Sequence, residues 1–228
     1  AAQNITTTAT DTAVTINAYG STLGAVAVTG AAATTLNVVN NGTGASTIAS
    51  LASSADETTV NLSGNQGITI TSALATTVTK VDASANSGGV NVTLAGGDVS
   101  VTGGAGADRF SFAGTLTAAD TVVGGAGTDT LAITGVDLTD AANVAQLNAL
   151  NTKVSGVEVL EFNGGAAATI QGGTGTGAFT NAEITKLLFN TADAGTDTIN
   201  NAGAARNYAF GDANTGAALF NLASGNST

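Results

Sequence analysis

Between residue 12 and about residue 102 the chain is a succession of short runs in which an apolar residue alternates with threonine, serine or asparagine: TAVTIN, GAVAVTG, TTLNVVN, TTVNLSGN, GITITS, TTVTKV, GVNVTL and GDVSVTG. A period of two puts alternate side chains on opposite faces, so each run reads as a strand with one face buried. Glycine, asparagine, aspartate or serine separates each run from the next, which is turn chemistry. Three runs also resemble one another: TTLNV opens at Thr34, TTVNL at Thr58, and TTVTK follows in the next stretch. A unit of roughly 20 residues holding two or three short strands is the size of one coil in stacked-repeat architectures. The expected fold is therefore all-β, a right-handed parallel β-solenoid or β-roll. A β-sandwich of the same strands is the competing reading.

After residue 136 the pattern changes. DLTDAANVAQLNALNTK carries Val144, Leu147 and Leu150 at three-residue steps behind a Thr/Asp start, which predicts a helix. VEVLEF predicts a strand. TNAEITKLLF predicts a second short helix, with Thr180 and Glu183 as a capping box and Ile184, Leu187 and Leu188 as its apolar face. DTIN, RNYAFG and AALFNL predict strands again. The chain thus divides into residues 1–136, a Thr/Gly-rich solenoid, and residues 137–228, further rungs decorated by two short helices that cover an open side or end of the stack.

Two turns stand apart. GGAGADRFS begins at Gly103 and GGAGTDTLA at Gly124. Both read Gly-Gly-x-Gly-x-Asp-x-apolar. Glycines permit positive φ and leave backbone carbonyls uncovered, and the aspartate adds a carboxylate. Ca²⁺ takes six to eight oxygens and accepts carbonyls and carboxylates together. One turn supplies half a shell; a second turn stacked on it supplies the rest. The intervening FAGTLTAADTVV is expected to form the far side of one enlarged coil, which sets the two turns in register. Gly103, Gly104, Ala105, Gly106 and Asp108 of the first turn, and Gly124, Gly125, Ala126, Gly127 and Asp129 of the second, are the candidate ligands. Asp120, just before the second turn, is a further candidate. Phe110 and Leu131 are expected to point into the coil. Asp98 is a degenerate relative, GGTGTGAF at Gly172 lacks the aspartate and reads as a plain turn, and Asp82 reads as an Asx turn residue.

Composition excludes much chemistry. Without His or Cys there is no Ser-His-Asp triad, His-ligated metal, thiolate nucleophile, zinc knuckle or disulfide. The five basic residues, Lys80, Arg109, Lys153, Lys186 and Arg206, are scattered against sixteen acids, which argues against a nucleic-acid surface and for cations as partners. No apolar run approaches the ~20 residues of a membrane span. Glu158 and Glu161 fall on opposite faces of one strand, so they form no catalytic dyad. Asp137 and Asp140 sit where a helix starts and read as caps. A carboxylate-only glycosidase would need aromatic sugar platforms, and there are two Tyr and no Trp. A threonine face binding ice or polysaccharide would need its threonines in one column, whereas they are spread over all positions. Stacked Thr and Asn columns serve β structure itself, with Asn side chains bonding up the stack at turns. The chain is expected not to be an enzyme.

The GGxGxD turns match the nonapeptide repeat of RTX β-rolls, a Ca²⁺-binding repeat, although here they lie 21 residues apart rather than nine. Together with ASTIASLASSADETTVNLSGNQGITITS (45–72), TKVDASANSGGVNVTLAGGDVSVTGGAGADRF (79–110) and VSGVEVLEF (154–162), they make the chain resemble RTX-type surface-layer proteins of Gram-negative bacteria over roughly residues 34–165. That resemblance implies export by a type I secretion system, folding outside the cell where Ca²⁺ is plentiful, and assembly into a two-dimensional lattice of identical chains on lipopolysaccharide. Only the glycine turns carry over as residues, as metal ligands. The ending NLASGNST shows no clear secretion signal. A secreted adhesin module binding glycan or ice, and the non-catalytic RTX tail of a secreted hydrolase, are the alternatives.

Overall fold

In the computed structural model, which describes residues 3–6, 10–29, 33–53, 57–113, 116–172, 177–190, 195–202, 206–211 and 217–222, the chain winds as a β-solenoid of about eight turns. Every strand pairing among the described residues is parallel. That disposes of the sandwich, whose neighbouring strands run antiparallel. Seven successive coils each contribute one strand to a seven-stranded sheet, in the order Ala13–Asn17, Thr35–Asn40, Thr59–Gly64, Lys80–Asp82, Ser100–Thr102, Thr121–Val123 and Val154–Ser155. The next strand of each coil enters a second sheet: Thr22–Thr29, Ser46–Ser53, Ile68–Ile70, Val90–Leu94, Arg109–Phe112, Thr130–Asp137 and Val159–Gln171. The long strand Val159–Gln171 then pairs with two successors, Lys186–Asn190 along its first half and Thr196–Ala202 along its second. Asn207–Phe210 and Ala217–Leu222 follow these in turn.

Alternation decides what faces inward. In Thr35–Asn40, Leu36, Val38 and Asn40 are buried and the residues between them are not. Register then stacks like on like. Val14, Leu36, Val60, Val81, Val101, Val122 and Val154 form one column. Val92, Phe110, Leu131, Leu160, Leu187 and Tyr208 form another. Burying a Leu or Phe is worth about 1.5–3 kcal/mol, and each coil buries its residues only against its neighbours, so stability is shared along the stack. Phe162, Phe189 and Phe210 extend the column principle to stacked rings, with centroids 5.1 and 5.4 Å apart.

Three expectations need correction. First, TTVTK does not stack on TTVNL. Thr59 pairs with Lys80 and Val60 with Val81, while Val78 is buried in the corner before the strand. Second, Asn side chains bond up the stack on strand faces as well as at turns: Asn61 Nδ2 donates to Asn37 Oδ1 at 2.8 Å, and Asn221 to Asn200 at 2.6 Å. Third, only one α-helix, Val144–Thr152, occurs among the described residues, preceded by a 3-10 turn at Ala141–Asn143 that Asp140 caps. It buries Leu147 and Leu150, but Val144 stays 47 % exposed. The second expected helix is a turn followed by the strand Lys186–Asn190. Glu183 does not reach back to Thr180; its carboxylate accepts the Gly156 N–H of the coil below at 2.5 Å. Leu187 and Phe189 point inward at strand spacing onto Leu160 and Phe162, so period two wins over the helical reading of KLLF.

The helix and the turn that replaces its expected partner seal one sheet. Asn181 Nδ2 donates to the carbonyls of Leu150 and Val154, and Asn151 Oδ1 accepts from the N–H groups of Thr180 and Asn181. The last strand of the seven-stranded sheet is thereby covered rather than left as an open edge. On the outer face of the second sheet, Thr22, Thr47 and Thr69 stack in register before Asn91 and Arg109 interrupt the column. Among the described residues no helix is long and apolar enough to cross a membrane.

Candidate metal centre

Both glycine turns lie on the corner where the chain passes from the seven-stranded sheet into the second sheet. Thr102 pairs with Val123 before them and Arg109 with Thr130 after them, so the turns stack directly. Gly103 N–H donates to the Val123 carbonyl at 2.7 Å and Ala126 N–H to the Gly104 carbonyl at 2.9 Å. A methyl group at Gly103 would collide with the Gly124 carbonyl oxygen, and one at Gly125 with the Gly104 carbonyl oxygen. Space therefore demands glycine at these points. Handedness demands it only in the second turn, where Gly125 and Gly127 adopt φ of +111° and +125° while no glycine of Gly103–Gly106 is left-handed. Ala105 and Ala126 are exposed at the turn tips and offer only backbone. Phe110 and Leu131 are fully buried, as their spacing required.

The two aspartates fold inward and are buried, Asp108 at 2 % and Asp129 at 0 % exposure. Each caps the coil below. Asp108 Oδ1 accepts from Val90 N–H at 2.7 Å, Asp129 Oδ1 from Asp108 N–H at 2.7 Å, and Glu158 Oε2 from Asp129 N–H at 2.8 Å. A ladder of carboxylates thus climbs three successive corners. The second oxygens differ. Asp108 Oδ2 accepts from Gly104 N–H at 2.7 Å. Asp129 Oδ2 is buried and has no hydrogen-bond partner; the equivalent glycine, Gly125, is in the left-handed region and does not make the bond. Burial pushes the Asp129 carboxyl up to about 6, against the Asp108 N–H that favours the ionised form, and the nearby Asp108 and Glu158 carboxylates push it further the same way. Burial also raises the Asp108 carboxyl.

The other candidates lie elsewhere. Asp120 precedes the strand Thr121–Val123, whereas the second glycine turn follows it, and a three-residue strand spans about 10 Å. Asp120 is buried at the return corner, where Oδ1 accepts from Val99 N–H at 2.8 Å and Oδ2 from Thr117 N–H at 2.7 Å and the Thr117 hydroxyl at 3.1 Å. The structure does not bring it to the turns. Asp98 is exposed on that same return corner. Asp82 is the expected Asx residue: it accepts from the Ser84 N–H and hydroxyl and pairs with Lys80 at 3.1 Å. The Ser84 hydroxyl bond is the main reason its carboxyl lies below the usual range. Glu161 pairs with Arg109 at 3.0 Å, and Asn190 donates to its other oxygen at 3.2 Å. Of GGTGTGAF, residues 173–176 lie outside the described residues, as do residues 223–228 of the C-terminal stretch.

Sequence reading expected Asn side chains to bond up the stack at turns but did not single out the residues that fill the remaining corners of this edge. Asn40 is fully buried; its Oδ1 accepts from Gly20 and Gly42 N–H at 3.0 and 3.2 Å, and its Nδ2 donates to the carbonyls of Gly44 and Gly67 at 3.0 and 2.9 Å. Asn86 likewise accepts from Gly88 N–H and donates to the Gln66 carbonyl. In the last described coil the register brings Arg206 to the position above Thr185, two coils beyond Glu158 and three beyond Asp129. Its guanidinium donates to the carbonyls of Asn181 at 2.7 Å, Ile184 at 3.1 Å and Phe179 at 3.4 Å, and lies 4.5 Å from the Phe179 ring centroid. Burial lowers its pKa. The only local signal for the two asparagines was a glycine two residues on, which reads as an ordinary turn.

Among the described residues no three Asp, Glu, His or Cys side chains gather as a metal cluster, so a cation at this edge would draw on backbone carbonyls as well. The glycine corner offers what Ca²⁺ takes: oxygen donors only, buried carboxylates without a positive partner, and one carboxylate oxygen with no bond at all. Asp108, Asp129 and the carbonyls of the two glycine turns are the residues that would hold it.

Comparison with protein-family profiles, curated proteins and solved structures returned no match. What the fold itself defines is the class, a parallel β-solenoid.

Proposed function

We propose that this chain is a structural protein that uses Ca²⁺ as a folding ligand, is secreted, and assembles with copies of itself at a bacterial cell surface as a surface-layer component. The observation that carries the reading is the glycine corner, where the buried carboxylate ladder holds an unpartnered Asp129 oxygen. Without metal this edge concentrates negative charge in a poorly hydrated place. With Ca²⁺, binding free energy becomes folding free energy. Such a chain stays loose where Ca²⁺ is scarce and closes where it is abundant.

Self-assembly draws support from the far end of the stack. The last coil leaves Phe210, Leu219 and Phe220 exposed at 40, 48 and 40 %. Its strands Asn207–Phe210 and Ala217–Leu222 are paired on one side only among the described residues. An apolar, half-paired strand edge is a template for another edge.

The test is a Ca²⁺ titration of metal-free protein followed by far-UV circular dichroism and light scattering. Gain of β signal followed by growth into sheets or fibres is the expected result. Folding to a stable monomer keeps the metal and moves the reading to an adhesin module or the tail of a secreted hydrolase. No response to Ca²⁺ overturns it.

A further inference from the structure

The two ends of the stack are finished differently. At the first end Val14, Ile16, Ala18, Val26 and Val28 are all buried, although their strands stand at or next to the limit of their sheets. At the last end the core is open. Phe210 continues an inward column over Phe189, and Phe220 continues one over Ile199, and both residues beneath are fully buried. The Phe210 and Phe220 rings meet across the coil with centroids 5.9 Å apart, and Tyr208 meets Phe220 at 5.5 Å. Phe210 and Phe220 nevertheless stay 40 % exposed, because among the described residues no further strand stands on Asn207–Phe210 or Ala217–Leu222. They are core residues at an uncovered end, and stacked-repeat folds need such ends covered.

Charge and shape say what covers it. Residues 207–211 and 217–222, which form this end, include no Asp, Glu, Lys or Arg, in a chain whose net charge is −11. Two acidic chains can therefore approach one another here without like charges meeting from these strands. The other large apolar side chains exposed among the described residues are Tyr19 and Val144. Each stands apart, Tyr19 at the corner after Ala13–Asn17 and Val144 at the start of the helix. The closed first end offers no apolar opening to receive Phe210 and Phe220. The surface on this chain that matches the open end is the same end of another copy.

We propose that two copies of this chain join last coil to last coil about a two-fold axis. Phe210, Leu219 and Phe220 of each copy cover the open core of the other, and the half-paired strand edges meet antiparallel. The proposal rests on the self-assembly reading above and names its first contact. An isologous contact closes on itself, so this one makes a dimer, and any larger sheet grows from that dimer through a different surface. Two short strand edges and three apolar side chains fall below the ~800 Å² per partner of a standard interface, so association is expected in the micromolar range.

The experiment is sedimentation velocity of the full chain in CaCl₂ from low to high micromolar concentration, with far-UV circular dichroism of the same samples with and without Ca²⁺. The expected first step is monomer to dimer. Leu219 stands over Thr198 on the outer face and is 48 % exposed, so Leu219→Lys leaves the inward columns intact. It places a charge at the contact in each copy and should raise the dissociation constant at least tenfold with the dichroism unchanged. The chain has no cysteine of its own, so a spin label on Ala218→Cys should read a short label-to-label distance in the dimer, and one on Thr15→Cys none. A monomer at every concentration, or wild-type association in Leu219→Lys, overturns the contact and leaves the Ca²⁺ reading standing. A short distance found only when the two labelled chains are mixed means last-to-first stacking and overturns the two-fold arrangement. A dimer without any dichroism response to Ca²⁺ upholds the contact and overturns the Ca²⁺ reading.

Discussion

One edge of this solenoid meets the same physical problem in two ways. Wherever the chain turns from the seven-stranded sheet into the second sheet, a corner of backbone N–H and C=O groups is withdrawn from water. In the early coils asparagine fills it. Asn40 both donates and accepts, with four bonds to Gly20, Gly42, Gly44 and Gly67. In the later coils Asp108 and Asp129 fill it, and a carboxylate accepts only. It satisfies the N–H groups below and leaves the carbonyls with nothing from the side chain. Arg206 shows the complement: there a cation of the protein's own meets three carbonyls. The acidic corner holds buried negative charge without a positive group to meet it among the described residues, and that is the physical content of calling it a metal edge.

The most forceful way to break this comparison is to give an early corner the late corner's chemistry. Asn40→Asp keeps the shape, removes the donors to the Gly44 and Gly67 carbonyls, and buries a charge with no partner. The expected loss is about 3–5 kcal/mol, read as a fall in the urea midpoint at unchanged slope. A loss below about 1 kcal/mol would mean that amide and acid are interchangeable here, and the contrast would carry no energy.

Removing Ca²⁺ sharpens the contrast by location. A ligand at 100 times its Kd stabilises by about 2.7 kcal/mol per site, so metal-free protein should melt several degrees lower. Hydrogen exchange should show where. The amides of Val90, Asp108 and Asp129, which are bonded to the carboxylates, should gain protection on adding Ca²⁺. Those of Gly20, Gly42 and Gly88, bonded to asparagines, should gain much less. Equal protection at both sets would place the effect of the ion elsewhere.

Acid should separate the two states with opposite signs. The Asp129 carboxyl is pushed up to about 6 in the folded chain against about 3.9 unfolded. Between those values the native state binds the extra proton. Metal-free protein therefore gains stability as pH falls from 7 towards 4 and loses it again as pH rises through 6. Asp108, raised in the same sense, adds to this. With Ca²⁺ bound the carboxylate form is the one stabilised, and acid over the same window should weaken the protein. Urea midpoints at pH 7.5, 6 and 5, in metal-free buffer and with Ca²⁺, give the two slopes; parallel slopes would remove Asp129 from the site.

How far sequence reading reached follows from the range of each interaction. Period-two alternation is local, so the strands, their inward residues and the stacking of Phe110 on Leu131 were legible. So was the register of the glycine turns, because their motif recurs at a separation the size of one coil. KLLF misled because Leu187 and Leu188 satisfy a helical face as well as a strand, and only Leu160 and Phe162 beneath them decide between the two. TTVTK misled for a related reason: similarity of letters favoured one register, while burial of Val81 over Val60 chose another. Asn40, Asn86, Arg206 and Glu158 were not singled out because each has partners in other coils about 20 residues or more away, and the local bonds of the two asparagines look like ordinary turns. Asp120 was drawn to the turns by proximity in sequence, yet a strand separates them.

The reciprocal exchange is the mildest test and the most discriminating. Asp129→Asn gives the late corner the early corner's side chain. The amide oxygen still accepts from Asp108 N–H, and the new NH₂ faces the space that the Gly156 carbonyl borders. A buried charge disappears and a donor takes its place, as at Asn40. Metal-free stability at pH 7 should rise by about 1 kcal/mol, while the Ca²⁺-induced shift in melting temperature falls by half or more. An aspartate kept only to cap Asp108 N–H would be replaced at no cost to the calcium response. An aspartate kept for a cation makes the protein weaker alone and stronger with the ion, and the exchange should reverse both.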